Sequence, residues 1–317
     1  MIFLLRGLAV SLAFYVTVYT ALSLLVLWGW NLATNRSQHF IAKRRADLLF
    51  ALRVQPVILA GLFTLAFVVP SFLDFEPRTS GELIGELPLV LGSVGLLVLA
   101  AGIGNAIAGY RQTLRTVNDW LAGARLVSFR ASVPVFQTPS VRPVLTLVGI
   151  RSHKMLLSEA AAALLTPHEL EAALQHEVAH VRRHDNLKKL LFRLCAFPGM
   201  SRLETAWGEA EEMSADDMSV RSPQDAVELA SALIKLSRLA PVEPAAALTT
   251  SLVHHATTSV KNRVQRLMTW DEDRAASCPP TAQWYFLGAF SVLIVILIPN
   301  YGGILRAMHA LTEWMVR

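Results

Sequence analysis

The chain has 317 residues, of which 53% are hydrophobic and 17% charged, with a mean hydropathy of +0.43. Soluble domains carry about 25% charged residues, so the deficit marks a membrane protein with a soluble part. A net charge of +5 is too small an excess over this length to indicate direct binding of nucleic acid, and two cysteines, Cys195 and Cys278, exclude a disulfide-stapled scaffold or a cysteine-rich zinc module.

In chain order, four stretches lack Asp, Glu, Lys and Arg: 7–30, 54–73, 87–110 and 284–299, the last inside a charge-free run from 275 to 305. A spanning helix needs about 20 apolar residues, so four transmembrane helices are expected. Arg6 precedes the first stretch, as in a signal peptide. Its apolar run exceeds the usual core of about 7–15 residues, and no A-x-A-like site follows, so it is expected to remain as a span.

Arg36, Lys43, Arg44, Arg45 and Arg53 face one acid, Asp47, in the segment 31–53. Between the second and third stretches lie Asp74, Glu76, Glu82 and Glu86 with Arg78 as the only base, and Arg111, Arg115, Arg125 and Arg130 follow the third. Basic residues in short loops stay on the cytoplasmic side. The segment 31–53 is therefore expected as a cytoplasmic loop, 111–282 as a cytoplasmic domain of the inner membrane, and both termini outside. No span carries a mid-membrane ionisable group, which argues against transport. Gly92, Gly95, Gly102 and Gly104 read as close helix packing. Residues 303–317 read as a short amphipathic helix on the outer surface, anchored by Trp314.

Within 111–282, residues 124–157 carry strand signals. Val127, Phe129, Ala131 and Val133 alternate with polar residues, and 144–148 and 155–157 are short apolar runs. From Ser158 the pattern is helical. Thr166-Pro167-His168-Glu169 has a capping residue, a proline at the first helical position and a glutamate to close a capping box. Leu170, Leu174, Val178 and Val181 then recur on one face. The fold class expected is a mainly α membrane protein, with an α+β domain inserted between the third and fourth spans.

That first helix holds His176-Glu177-Val178-Ala179-His180. Histidines four apart lie one turn from each other, so both imidazoles can reach one ion. Two neutral nitrogens hold zinc, and Glu177 on the same turn can serve as a base without being a ligand. His184 cannot join them, because it stands about 12 Å from His176 along the axis. Among the downstream acids, Glu212 and Asp216 are four apart, so Glu212 can bind metal while Asp216 holds the outer nitrogen of a ligand histidine. One Zn²⁺ per chain, in a seat open to solvent on one side, is expected on His176, His180 and Glu212.

These residues resemble the BlaR/MecR-type antirepressor metallopeptidases of bacterial membranes, and more distantly the CAAX-processing and heat-shock membrane zinc endopeptidases. The resemblance rests on His176–His180 followed by Arg182-Arg183-His184-Asp185, on Glu212-x-x-Ala215-Asp216, on the Phe197-Pro198 turn between them, and on the order of spans around the domain. It implies a gluzincin-like domain that cuts a cytoplasmic protein, with a transcriptional repressor as a possible substrate in a signalling pathway. It also implies a strand that binds substrate in extended form, here Leu147, Val148 and Gly149, on an edge that offers unpaired backbone groups. Antibiotic-sensing members carry a large receptor domain after the fourth span, and little chain follows it here, so direct β-lactam sensing is not expected. Related endopeptidases place an oxyanion-stabilising His or Arg beyond the third ligand. His254, His255 and Arg263 lie in that region, without matching spacing, and read as surface residues. The competing reading is a membrane signalling or scaffold protein with a structural zinc site. An intramembrane protease is disfavoured by Gln175, Arg182, Arg183 and Asp185 around the motif. Oligomeric state is open.

Overall fold

The computed structural model describes residues 2–37, 41–78, 85–129, 132–139, 145–239, 250–251, 257–270 and 299–314. It is mostly helical with one small sheet. Helix α1 (Ile2–Ser37) and helix α4 (Glu86–Leu121) each have 36 residues, about 54 Å of rise, which is longer than a bilayer core. Between them, α2 (Ala42–Phe63), a π-helical turn (Thr64–Val68) and α3 (Val69–Phe75) form one continuous rod. Three of the expected spans are thus present as helices long and apolar enough to cross a membrane. The expected fourth, 284–299, lies almost wholly outside the described residues, as do Cys278, His254 and His255.

One expectation about this part of the chain is corrected. The segment 31–53 is not an extended loop: α1 runs on to Ser37 and α2 starts at Ala42. The physical reason is burial, because Ala46, Leu49 and Val54 pack with Phe192, Leu203 and Trp207 of the soluble domain. Helix α11 (residues 299–314) runs alongside the second span, where the Tyr301 hydroxyl donates to the Ala66 carbonyl at 2.8 Å and the Ser71 hydroxyl to that of Leu305 at 2.9 Å. Pro70 has no N–H to offer Ala66 four residues back, so Tyr301 supplies a missing donor.

The glycine reading holds in part. A Cβ on Gly92 would lie 2.7 Å from the Ala9 carbonyl oxygen and one on Gly95 2.6 Å from that of Leu12, so α4 meets α1 there at backbone distance. Gly102 likewise abuts the Leu194 carbonyl, while nothing approaches Gly104.

The part after α4 begins with a sheet of order β1-β2-β4-β3-β5, formed by Arg125–Val127, Val135–Thr138, Lys154–Ser158, Leu145–Val148 and Thr250–Ser251 respectively. The alternation across 127–133 does not continue as one strand. Pro134 cannot donate to a ladder, and the chain re-enters the sheet at Val135. Helices α5 (Glu159–Leu164), α6 (Pro167–Arg183), α7 (Asp185–Leu194), α8 (Ser201–Ser219), α9 (Pro223–Leu239) and α10 (Thr257–Met268) follow. Leu145, Leu147, Met155 and Leu157 share one core with Leu170, Leu174, Val178, Leu229 and Leu233.

Candidate metal centre

The sequence places the start of α6 through a capping box: the Glu169 N–H donates to the Thr166 hydroxyl at 3.3 Å, and the Thr166 N–H to Glu169 Oε2 at 2.8 Å. Glu169 also receives Lys235 and Ser231 of α9, at 2.7 and 2.5 Å, which pins the helix to its neighbour. Burial opposes the charge on Glu169, but these donors outweigh it and hold the carboxyl down at about 2. Leu170, Leu174 and Val178 then face the core, with Val181 partly buried beside them.

The expected ligands converge. His176 Nε2 lies 3.1 Å from His180 Nε2, Glu212 Oε2 lies 3.5 Å from the first and Glu212 Oε1 3.8 Å from the second. Donors on a tetrahedral ion at about 2.0–2.1 Å stand about 3.3 Å apart, so the three side chains fit one. The outer nitrogens face carboxylates: His180 Nδ1 is hydrogen-bonded to Asp185 Oδ2 at 2.9 Å, and His176 Nδ1 lies at ion-pair distance, 3.0 Å, from Asp216 Oδ1. With those nitrogens protonated toward carboxylates, both Nε2 lone pairs aim at each other across 3.1 Å. Such an arrangement calls for a cation between them. These buried residues can hold a metal ion.

The electrostatics agree. Burial works to lower the pKa of each histidine, but Asp216 and Glu212 push His176 up, and Asp185 and Glu211 push His180 well up. The pocket therefore favours positive charge at its centre.

Asp216 stands where the i, i+4 spacing put it. Two supporting residues were not singled out from the sequence. Asp185 reaches back to His180 because His184 adopts a left-handed turn, φ 55°, between α6 and α7. That conformation is uncommon outside glycine, though histidine is among the residues enriched there. The second is Arg263, which is not a surface residue: it is 3% exposed, donates from Nε and NH2 to Asp216 at 2.8 and 2.7 Å, and lies 2.7 Å from Glu212 Oε2. Burial raises the Asp216 carboxyl, and the Arg263 charge outweighs this and brings it to about 2. A signal was present: Val260, Val264 and Leu267 form the inward stripe of α10, and Arg263 falls on it at helical spacing.

Glu177 is fully buried beside His176, and its charge contributes to the field on Arg263. The expectation of a solvent-open seat is corrected. His176 and His180 are 0% exposed and Glu212 3%, because α6, α8 and α10 close around them.

The strand expectation is also corrected. β3 is not an edge strand, since β5 pairs with Thr146 and Leu147, leaving Val148 and Gly149 beyond it. Leu147 and Gly149 are tied to the start of α7, beside Asp185: Asn186 donates to the Gly149 carbonyl at 2.9 Å and to that of Leu147 at 3.5 Å.

The centre is fastened to the membrane helices. The Tyr19 hydroxyl of α1 donates to the Ala196 carbonyl at 2.9 Å, and Arg53 of α2 contacts the Cys195 carbonyl and Glu204. Cys195 to Met200 forms the hinge from α7 to α8. A scan against known protein families finds no match, and no curated protein matches the chain.

Proposed function

We propose that the chain is an integral membrane zinc endopeptidase that hydrolyses peptide bonds of a cytoplasmic protein. The observation that carries this reading is the pair of imidazole lone pairs 3.1 Å apart, flanked by Glu212, with a carboxylate behind each ring and Glu177 on the adjacent position of the same helix. His176, His180 and Glu212 would hold the ion. When bound, zinc supplies Lewis acidity that polarises a scissile carbonyl and makes water a better nucleophile.

The chain's own residues do the rest. Glu177 accepts the proton of the attacking water and passes it to the leaving amine. Asp216 and Asp185 fix the ring orientations and raise the basicity of the ligating nitrogens. Arg263 keeps Glu212 and Asp216 ionised in a buried setting. Burial of the seat implies that substrate enters by displacing a covering segment. A repressor-type substrate follows from the resemblance alone.

The same burial favours the second reading, a structural zinc site in a signalling or scaffold protein. Structural sites usually have four protein ligands, whereas this group offers three beside a glutamate. Comparison of new protein N-termini in cells expressing the native chain or its Glu177→Gln form separates the readings. Cleavages that vanish in E177Q while zinc bound at the histidine pair stays at its native level support the peptidase; identical N-termini in both overturn it.

A further inference from the structure

At the far end of the helical bundle, three ligand-type side chains stand apart from the centre described above. Glu76 follows the last turn of α3, and His309 and Glu313 lie one turn apart on one face of α11. Their donor atoms all lie within 4.8 Å of one another. Since α1 runs from Arg6 at this cluster to Trp30 beside α8, the cluster and the histidine pair occupy opposite ends of the bundle.

Two elements build the cluster. The Tyr301 and Ser71 hydrogen bonds lay α11 along the second span, and this brings His309 and Glu313 level with Glu76. The Phe75 ring sits 5.5 Å from the His309 ring and fixes its place. Glu76 is buried and lies 2.7 Å from the equally buried Arg6. His309 Nδ1 is shut off from solvent with no hydrogen-bond partner among the described residues. Leaving such a nitrogen unsatisfied costs about 1–3 kcal/mol, a penalty that ligation removes.

We propose that Glu76, His309 and Glu313 form a second metal site, for a divalent cation of the zinc class. One imidazole and two carboxylates suit a borderline ion; calcium and magnesium take oxygen donors alone. The ion ties α11 to the end of α3, joining the first span through Arg6, the second through Glu76 and the C-terminal helix in one cluster. The site is independent of any activity at the histidine pair.

The test uses the full-length chain in detergent, stripped with a chelator, reloaded with zinc chloride and assayed for bound metal. In an H176A/H180A background, which removes the first site, about one zinc per chain is expected to remain, and adding H309A and E313A is expected to remove it. A H176A/H180A chain that retains no zinc overturns the proposal, as does a chain whose zinc survives H309A and E313A. To separate loss of metal from misfolding, H309Q in the same background provides a gentler variant. It should keep the helix content of the stripped parent while abolishing the visible absorption of bound cobalt; a cobalt spectrum unchanged by H309Q overturns the proposal. A fall from about two zinc ions per chain to about one on H176A/H180A reports on the first site, so the two readings fail separately.

Discussion

The Arg53 guanidinium, on the rod formed by α2 and α3, lies 2.8 Å from Glu204 on α8, a helix whose buried face includes Trp207 and Glu212. The same guanidinium reaches the Cys195 and Phe192 carbonyls at the end of α7. One membrane residue thus grips both sides of the hinge that separates the histidines from Glu212. Arg53→Ala leaves those carbonyls without their donor and should cost about 1–3 kcal/mol. Glu204 is 41% exposed at its side chain, so its share is small. Arg53→Lys restores charge without the planar fork and should recover only part of the loss in a thermal unfolding assay.

Removal of either carboxylate behind the histidines should loosen metal rather than abolish it. Asp216→Asn and Asp185→Asn are each expected to weaken zinc affinity about 10–100-fold, measured by competition with a chromophoric chelator. Glu212→Ala removes a ligand and should weaken it further. Metal affinity unchanged in Glu212→Ala would place the third ligand elsewhere.

Arg263 offers a sharper contrast. Its loss leaves two buried carboxylates without their countercharge, so Arg263→Ala should destabilise the apo chain by about 3–5 kcal/mol. Zinc should restore part of that stability, because the ion supplies the missing positive charge, and the rescue is read as a larger rise in melting temperature on zinc addition than the native chain shows.

The Glu169 carboxyl lies at about 2 in the folded chain against an ordinary value of 4.5. A lowered acid stabilises the fold above its unfolded pKa and loses that contribution as pH falls toward the folded one. The window is therefore about pH 4.5 down to pH 2, with a contribution on the order of 2–3 kcal/mol at neutral pH. Glu169→Gln should lower stability at pH 7 and flatten the acid limb of the stability curve between those values.

Gly95 and Gly104 provide a paired test of helix contact. A methyl group at Gly95 meets the Leu12 carbonyl, so Gly95→Ala should cost about 1–3 kcal/mol. At Gly104 nothing stands within 4 Å, and Gly104→Ala should be neutral or slightly stabilising.

What was legible in the sequence was local. The capping box at Thr166, the i, i+4 pairs His176/His180 and Glu212/Asp216, and three apolar spans depend on neighbours within a few turns, where helical periodicity suffices. What was missed depends on distant or conformational facts. Asp185 reaches His180 only because His184 turns left-handed. The β5 strand pairs Ser251 with Thr146 across about a hundred residues, and no local pattern announces it. Ala46 and Leu49 make the segment before the second span helical because they bury against Trp207, a partner far along the chain. The charge runs that suggested a loop there mark only the exposed side of a rod.

The hinge between α7 and α8 divides the metal centre unevenly. His176, His180 and Asp185 belong to the piece before it, Glu212 and Asp216 to the piece after it, and Arg263 braces only the latter. The relative placement of the two groups is therefore set in part by side chains of α1 and α2, since Tyr19 and Arg53 hold the connection between them.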